Sequence, residues 1–211
     1  VIGVYLGVTA ARKQYSITDY TVTVVALLCI SMPTFFLATL LKLIFSIKLG
    51  WFDLIGMQSR DYILLSDFGK FLDLCYHMVL PVITLTMLGI GGLMRYTRTN
   101  MLEVLNSDYI RTARAKGLSE RTVINRHAFR NTLIPLITIM GTTLPALFSG
   151  ALITETLFGI RGIGYTSYYA MINGDIPFTM FYLAFISILT LLSNLLADVL
   201  YAVVDPRVRV H

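Results

Sequence analysis

Four long stretches without a charged side chain limit what this chain can fold into. They cover residues 20–41, 74–94, 131–154 and 176–197, and their lengths are 22, 21, 24 and 22 residues. A helix needs about 20 apolar residues to cross the hydrocarbon core of a membrane, so each window is long enough to span it. Four such windows in 211 residues argue against the buried helices of a water-soluble domain. The sequence therefore predicts an all-α, polytopic membrane protein.

The composition supports this prediction and excludes other classes. Hydrophobic residues make up 56% of the chain and charged residues only 14%, against about 25% charged in an average soluble domain. Disorder is excluded for the same reason, and two cysteines are too few for a disulfide scaffold. A fifth apolar piece, residues 1–11, is too short to span. We expect it to be the end of a helix whose beginning is missing, which gives about five to six spans in the full chain.

The basic residues are unevenly distributed between the connecting segments. Segments 12–19, 95–130 and 198–211 hold twelve of the seventeen lysines and arginines, whereas 42–73 and 155–175 hold five. Because cytoplasmic loops of membrane proteins are enriched in basic residues, the first set is predicted to be cytoplasmic. Loop 95–130 is tethered at both ends to predicted membrane spans, which argues against nucleic-acid binding.

The cytoplasmic loop contains a short helix with a marked start and end. Ser107 is a suitable N-cap residue, and Asp108 places negative charge in the first turn. Gly117 suits the position that follows the last helical residue. A second helix is predicted to start at once, with Ser119 as its N-cap, and to continue to the membrane entry near Asn131.

The first of these helices is too short to be stable alone. It has about nine residues, and an isolated helix needs roughly 12–15 in water, so it must dock on something. We expect Tyr109 and Ala113, four residues apart, to form its apolar docking face. Arg111 and Arg114 flank this face, and Lys116 adds positive charge at the helix end. We interpret the helix as a plug for a groove on a soluble partner; the alternative is an amphipathic helix on lipid headgroups.

Several motifs then carry a family resemblance. Residues 108–121 read DYIRTARAKGLSER, residues 126–131 read RHAFRN, and residues 133–135 read LIP. Residues 155–164 read ETLFGIRGIG, and residues 198–207 read DVLYAVVDPR. Together they resemble permease subunits of ATP-binding-cassette importers, in the variant of the oligopeptide/dipeptide branch. The resemblance implies the type I importer permease fold and a multi-pass protein of a bacterial or archaeal plasma membrane.

The resemblance also implies partners and site residues. Ala113 and Gly117 would occupy the signature alanine and glycine positions, in a helix that inserts into an ATPase subunit. Expected partners are two ATP-binding ATPase subunits, a homologous second permease subunit, an extracytoplasmic solute-binding protein and membrane lipid. The predicted ATPase-coupling residues are Asp108, Tyr109, Arg111, Ala113, Arg114, Lys116, Gly117 and Ser119.

Two further sets of residues are candidates for other roles. The outer segment 155–175 is expected to dock the solute-binding protein, with Glu155, Gly162 and Gly164 as candidate residues. The polar residues of the third window either line a transport pathway or form hydrogen bonds within their own helix. They are Thr138, Thr142, Thr143 and Ser149.

The sequence holds no sign of catalysis. It has no GxxxxGK[ST] motif for ATP, and its three histidines show no metal-ligand spacing, so no catalytic residue, metal or cofactor is predicted. Because the four windows contain no charged residue, an ion-coupled carrier or channel is a weaker alternative. A membrane anchor that only recruits a soluble protein is another. The cargo is expected to be peptide, with nickel, glutathione or oligosaccharides as alternatives in the same transporter class.

Overall fold

A computed structural model describes residues 1–204 of the chain. Every regular element within this range is helical, which confirms the all-α fold class. In chain order the helices are α1 (Ile2–Arg12), α2 (Ile17–Ser31), α3 (Thr34–Leu41), α4 (Asp67–Leu105), α5 (Asp108–Ala115), α6 (Glu120–Thr122), α7 (Phe129–Ser149), α8 (Leu152–Phe158), α9 (Ile163–Ile172) and α10 (Ile176–Val204). The last residues of the tail motif, 205–207, lie outside the described residues.

Three shorter segments complete the helical structure. α3 continues as a π-helix, Lys42–Lys48, and a 3₁₀ turn, Tyr62–Leu64, precedes α4. A second π-helix, Val123–Ala128, joins α6 to α7, so the chain is helical from Glu120 to Ser149 without a break. This continuity matches the predicted second helix of the cytoplasmic loop.

Within residues 1–204, two helices are long and apolar enough to cross a membrane. They are Asp67–Leu105, which contains window 74–94, and Ile176–Ala202, which contains window 176–197. The bent pair Ile17–Ser31 and Thr34–Lys48 makes a third if it forms one span.

Window 20–41 contains a bend between two helices. α2 ends at Ser31, and α3 begins after Pro33, which has φ −59° and ψ 140°. Proline lacks the backbone N–H that a helix interior requires and disfavours the helical conformation in the residue before it. The charge-free stretch therefore contains two helices bent by 101°, and its assignment as one membrane span stays a prediction.

Window 131–154 is also interrupted. α7 ends at Ser149, Gly150 adopts φ +81°, and α8 begins at Leu152. A left-handed residue at this position is typical of a helix end, and glycine adopts it without steric cost. Gly150 therefore divides the window between α7 and the start of α8. The apolar composition of the window does not reveal this break.

The described chain forms two compact units. The first contains Val1–Ile30, Gly89–Leu147 and the chain from Ser187 onward. One of its hydrophobic clusters joins Ala10 of α1 and Val22 and Ala26 of α2 to Met94 of α4. Another surrounds α5 and is described below.

The second unit contains Ser31–Leu88 and Phe148–Ile186. Its core packs Ala38 and Leu80 against Phe158 and Ile160, with Phe45 and Phe52 at the margin. The Nζ atom of Lys42 donates to the backbone oxygen of Leu157 at 2.5 Å. These contacts fix α8 on α3 within this unit.

Candidate coupling helix and the 150–165 turn

The ends of α5 are formed by the residues that the sequence singled out. Ser107 is the N-cap residue with an extended backbone, and Asp108 occupies the first turn. The Ser107 hydroxyl makes no cap bond; it donates to the backbone oxygen of Val104 at 2.6 Å. At the other end Gly117 has φ +77°, and its N–H donates to the oxygen of Arg114 at 2.9 Å. A residue with a Cβ is strained in this conformation, so the turn after α5 requires glycine.

The buried face of α5 differs from the predicted one. Ile110 is 0% exposed and Ala113 is 7% exposed, and both pack against Met101 of α4 and Val123 of the π-helix. The expected face of Tyr109 and Ala113 is therefore wrong, because the burial of Ile110 turns Tyr109 outward. The short helix does dock on an apolar surface, as its length requires, but that surface belongs to its own chain.

The π-helix explains how one short segment covers α5. Val123 and Ala128 are both 0% exposed in the cluster around α5, and Ile124 is 4% exposed. In a π-helix the backbone bonds run from i to i+5, so residues five apart lie closer to one face than they do in an α-helix. The wider winding thus brings Val123 and Ala128 to the same face, where both contact this cluster.

The exposed side of α5 is polar and basic. Tyr109 is 45% exposed, and its phenol oxygen accepts a hydrogen bond from Nδ2 of Asn131 at 2.8 Å. Arg111 lies 3.5 Å from the carboxylate of Asp108, and both side chains are largely exposed. Lys116 is exposed at the end of the helix. These side chains are available to a partner, whereas Ala113 is not.

An ion pair closes the turn between α5 and α6. Nη2 of Arg114 lies 2.8 Å from one carboxylate oxygen of Glu120, and Nε lies 3.2 Å from the other. This hydrogen-bonded guanidinium holds the pKa of Glu120 below its ordinary value. The Ser119 hydroxyl accepts from the N–H of Thr122 at 3.4 Å, so Ser119 caps α6 as predicted.

The three candidate docking residues of the outer segment build a turn. The carboxylate of Glu155 accepts from the backbone N–H groups of Ala151 at 3.0 Å, Gly164 at 3.3 Å and Tyr165 at 2.6 Å. Negative charge is favourable where α9 begins, since its first N–H groups have no partner within the helix. Glu155 thus ties the start of α8 to the start of α9.

Both glycines fit this turn because they lack a side chain. A Cβ on Gly162 would lie 2.6 Å from the carboxyl carbon of Glu155, and a Cβ on Gly164 would lie 2.8 Å from the backbone nitrogen of Leu152. Gly164 is buried, so it presents no side-chain surface. Exposed side chains beside the turn include those of Arg161, Tyr168 and Tyr169, which lie in the outer segment 155–175 that is expected to dock the solute-binding protein.

The candidate pathway residues are only partly described. The exposed hydroxyl of Thr143 donates to the backbone oxygen of Ile139 at 2.7 Å, which is the helix-internal alternative. The backbone oxygen of Ser149 accepts from the hydroxyl of Tyr182 at 2.9 Å. The side chains of Thr138 and Thr142 lie outside the described part. A transport path through these residues remains a prediction.

Two charge networks were not predicted. Asp19, 2% exposed, pairs with Arg98 of α4, with Nε and Nη2 at 2.5 and 2.8 Å from its two oxygens. His77 lies 2.9 Å from Asp53 and 2.8 Å from the backbone oxygen of Asp73. In the sequence, most of these residues stand near the ends of the charge-free windows, which was the only sign of them. Which of them pair with one another depends on the tertiary fold. No metal-binding cluster occurs among the side chains that are described.

The fold defines the chain as a polytopic α-helical membrane protein, and its sequence identifies the family. The chain belongs to the family of binding-protein-dependent transport system inner membrane components, whose profile matches residues 3–210. It is 38% identical over 208 residues to the oligopeptide transport system permease protein AppB of Bacillus subtilis (strain 168), covering 99% of this chain and 64% of the relative. It is 39% identical over 220 residues to the di/tripeptide transport system permease protein DppB of Pseudomonas aeruginosa (strain UCBPP-PA14), covering 98% and 66%. The chain thus spans slightly less than two thirds of these relatives.

Proposed function

We propose that this chain is part of a membrane-spanning permease subunit of an ATP-driven importer that moves peptides across a bacterial plasma membrane. Both relatives above are named as permease proteins of peptide transport systems, which supports this cargo. Nickel, glutathione and oligosaccharides remain alternatives within the same transporter class. Hydrolysis of ATP belongs to a partner subunit in this proposal, since the sequence carries no phosphate-binding motif.

The observation that supports the proposal most is the packing of α5 against its own chain by one side only. Its apolar side is buried in a cluster of its own chain, and its exposed side presents Tyr109, Arg111 and Lys116. A helix of eight residues keeps its shape only on such a support. A charged surface on a firmly held short helix suits contact with a soluble ATPase subunit, because exposed charges steer association with a complementary partner.

The proposed mechanism is alternating access. ATP binding closes two ATPase subunits, and α5 moves with the subunit that it contacts. The hydrophobic cluster transmits this movement to α4 and α7, so the pathway opens to the outside and accepts solute from an extracytoplasmic binding protein. Hydrolysis restores the inward-facing state. A homologous second permease subunit supplies the other wall of the pathway.

The test must use exposed residues of α5. Ala113→Arg would place a charge in the buried cluster, and Gly117→Asp would strain a left-handed residue, so neither isolates the partner contact. Arg111→Glu reverses an exposed charge and removes the exposed ion pair with Asp108, without touching the buried cluster. Arg121→Glu, which reverses an exposed charge on α6, is its matched control. The assay is peptide uptake and ATP hydrolysis by the complete transporter in liposomes, built with the full-length permease.

We expect Arg111→Glu to lower ATP-driven uptake by more than about tenfold, because reversing an interfacial charge creates like-charge repulsion. Arg121→Glu should keep most of the uptake. Unchanged uptake with Arg111→Glu would contradict the assignment of α5 to the ATPase contact. Gradient-driven uptake by the permease without ATPase subunits would instead support an ion-coupled carrier.

A further inference from the structure

An amphipathic crevice lies between α2 and α4 in the first unit. Its volume is about 330 Å³. One part is lined by apolar side chains, among them Leu27 of α2 and Met94 of α4. The other part is lined by Arg95, Arg98 and Thr99, which lie within five residues after Met94 on the same helix. Apolar and basic linings thus meet in one cavity at the end of a charge-free window.

The two arginines of the crevice differ in their electrostatic state. Arg98 donates from its Nε and Nη2 atoms to the buried carboxylate of Asp19. Arg95 is exposed, and no ion pair of Arg95 is found within residues 1–204. The crevice therefore carries one uncompensated positive charge, which no acid in the described part of the chain neutralises.

We propose that this crevice binds one anionic phospholipid. The phosphate ester contacts the guanidinium of Arg95 and the remaining donors of Arg98, and an acyl chain lies on Leu27 and the neighbouring apolar wall. Arginine binds phosphate through paired, charge-assisted hydrogen bonds, so it favours this group over a neutral headgroup. Basic pockets between membrane helices on the cytoplasmic side bind anionic headgroups in the same way.

The apolar lining distinguishes a lipid from a soluble phosphate. Inorganic phosphate would satisfy Arg95 but would leave the part lined by Leu27 and Met94 without an apolar occupant. A phospholipid occupies both parts at once. Its phosphate lies next to its acyl chains, just as the basic lining lies next to the apolar lining. The proposal does not depend on the cargo or on the ATPase contact of α5.

The test is lipid binding to the full-length permease in detergent, followed by native mass spectrometry. Phosphatidylglycerol is titrated against phosphatidylcholine with the same acyl chains, with and without an excess of inorganic phosphate. Arg95→Gln removes the free charge and keeps a polar side chain. Arg121→Gln is the control, because Arg121 is an exposed basic residue that does not line the crevice. A thermal unfolding curve of each variant checks that the fold is retained.

We expect one phosphatidylglycerol per permease, bound more tightly than phosphatidylcholine and resistant to inorganic phosphate. Arg95→Gln should weaken it by about fivefold, the effect of one basic residue near an anionic lipid, and Arg121→Gln should leave it unchanged. An equal loss in both variants would mean attraction to surface charge alone and would overturn the proposal. Equal binding of both lipids, or full displacement by inorganic phosphate, would also overturn it.

Discussion

Replacing Ile110 with alanine should release α5 from the rest of the chain without altering its exposed surface. Ile110 is 0% exposed and contributes the larger of the two buried side chains on this helix. Isoleucine-to-alanine changes in a packed core cost about 2–5 kcal/mol. The eight residues of α5 have almost no helical stability of their own, so this loss acts mainly on the docking of the helix.

The expected magnitude follows from the lower end of that range. A loss of about 2 kcal/mol raises the open population of α5 about 30-fold, since each 1.4 kcal/mol is a factor of ten. Hydrogen–deuterium exchange of the isolated full-length permease measures this directly as faster exchange of the amides of residues 109–116. The isolated subunit is the right sample, because any partner bound to the exposed side of α5 would hold the helix by a second surface.

Tyr109→Ala is the matched control for this experiment. It removes a large side chain of the same helix that is 45% exposed, together with one hydrogen bond from Asn131. Surface substitutions of this kind usually change stability by no more than about 0.5 kcal/mol, so exchange should change less than about threefold. If Ile110→Ala exchanges like the wild type, or if Tyr109→Ala exchanges faster than Ile110→Ala, the intrachain docking of α5 is refuted.

Three further predictions concern other parts of the chain. Arg114 lowers the pKa of Glu120, so their ion pair stabilises the fold at every pH above the ordinary glutamate value of 4.5. This stabilisation is lost as the pH falls through the lowered pKa. The difference in melting temperature between the wild type and Glu120→Gln should therefore stay constant down to about pH 4.5 and shrink below it. Gly164→Ala should lower thermal stability by about 1–3 kcal/mol, whereas Gly92→Ala, whose Cβ would meet nothing within 4 Å, should not. Asp19→Asn should cost about 3 kcal/mol in thermal unfolding, because it leaves a partly buried guanidinium without its counter-charge.

Local chemistry predicted the helix ends but not the packing faces. Asp108, Gly117 and Ser119 mark the ends of α5 and α6 because their effects act within one turn of the chain. Whether Tyr109 or Ile110 faces inward depends on Met101 and on the π-helix after α6, which no local pattern specifies.

The charge-free windows show the same division. An apolar window predicts burial in lipid or protein, but it cannot show where the helix stops. Pro33 and Gly150 interrupt two of the four windows through backbone geometry, which hydropathy does not measure. The candidate docking glycines were prominent in the sequence for the same geometric reason: Gly164 permits the close approach of a neighbouring backbone and offers no surface of its own.

The position of α5 determines what a force on it can move. Its supporting cluster contains Ala11 at the end of α1, Met101 near the end of α4 and Ala128 at the entry to α7. Close-packed interiors transmit displacement because they have few voids to absorb it. A partner that shifts α5 therefore acts on the ends of these three helices together. A substitution in the cluster changes all three contacts at once, so it does not show how the shift affects any single helix. Exposed residues of α5, with Ile110 intact, are the positions where partner contact and transmission can be distinguished.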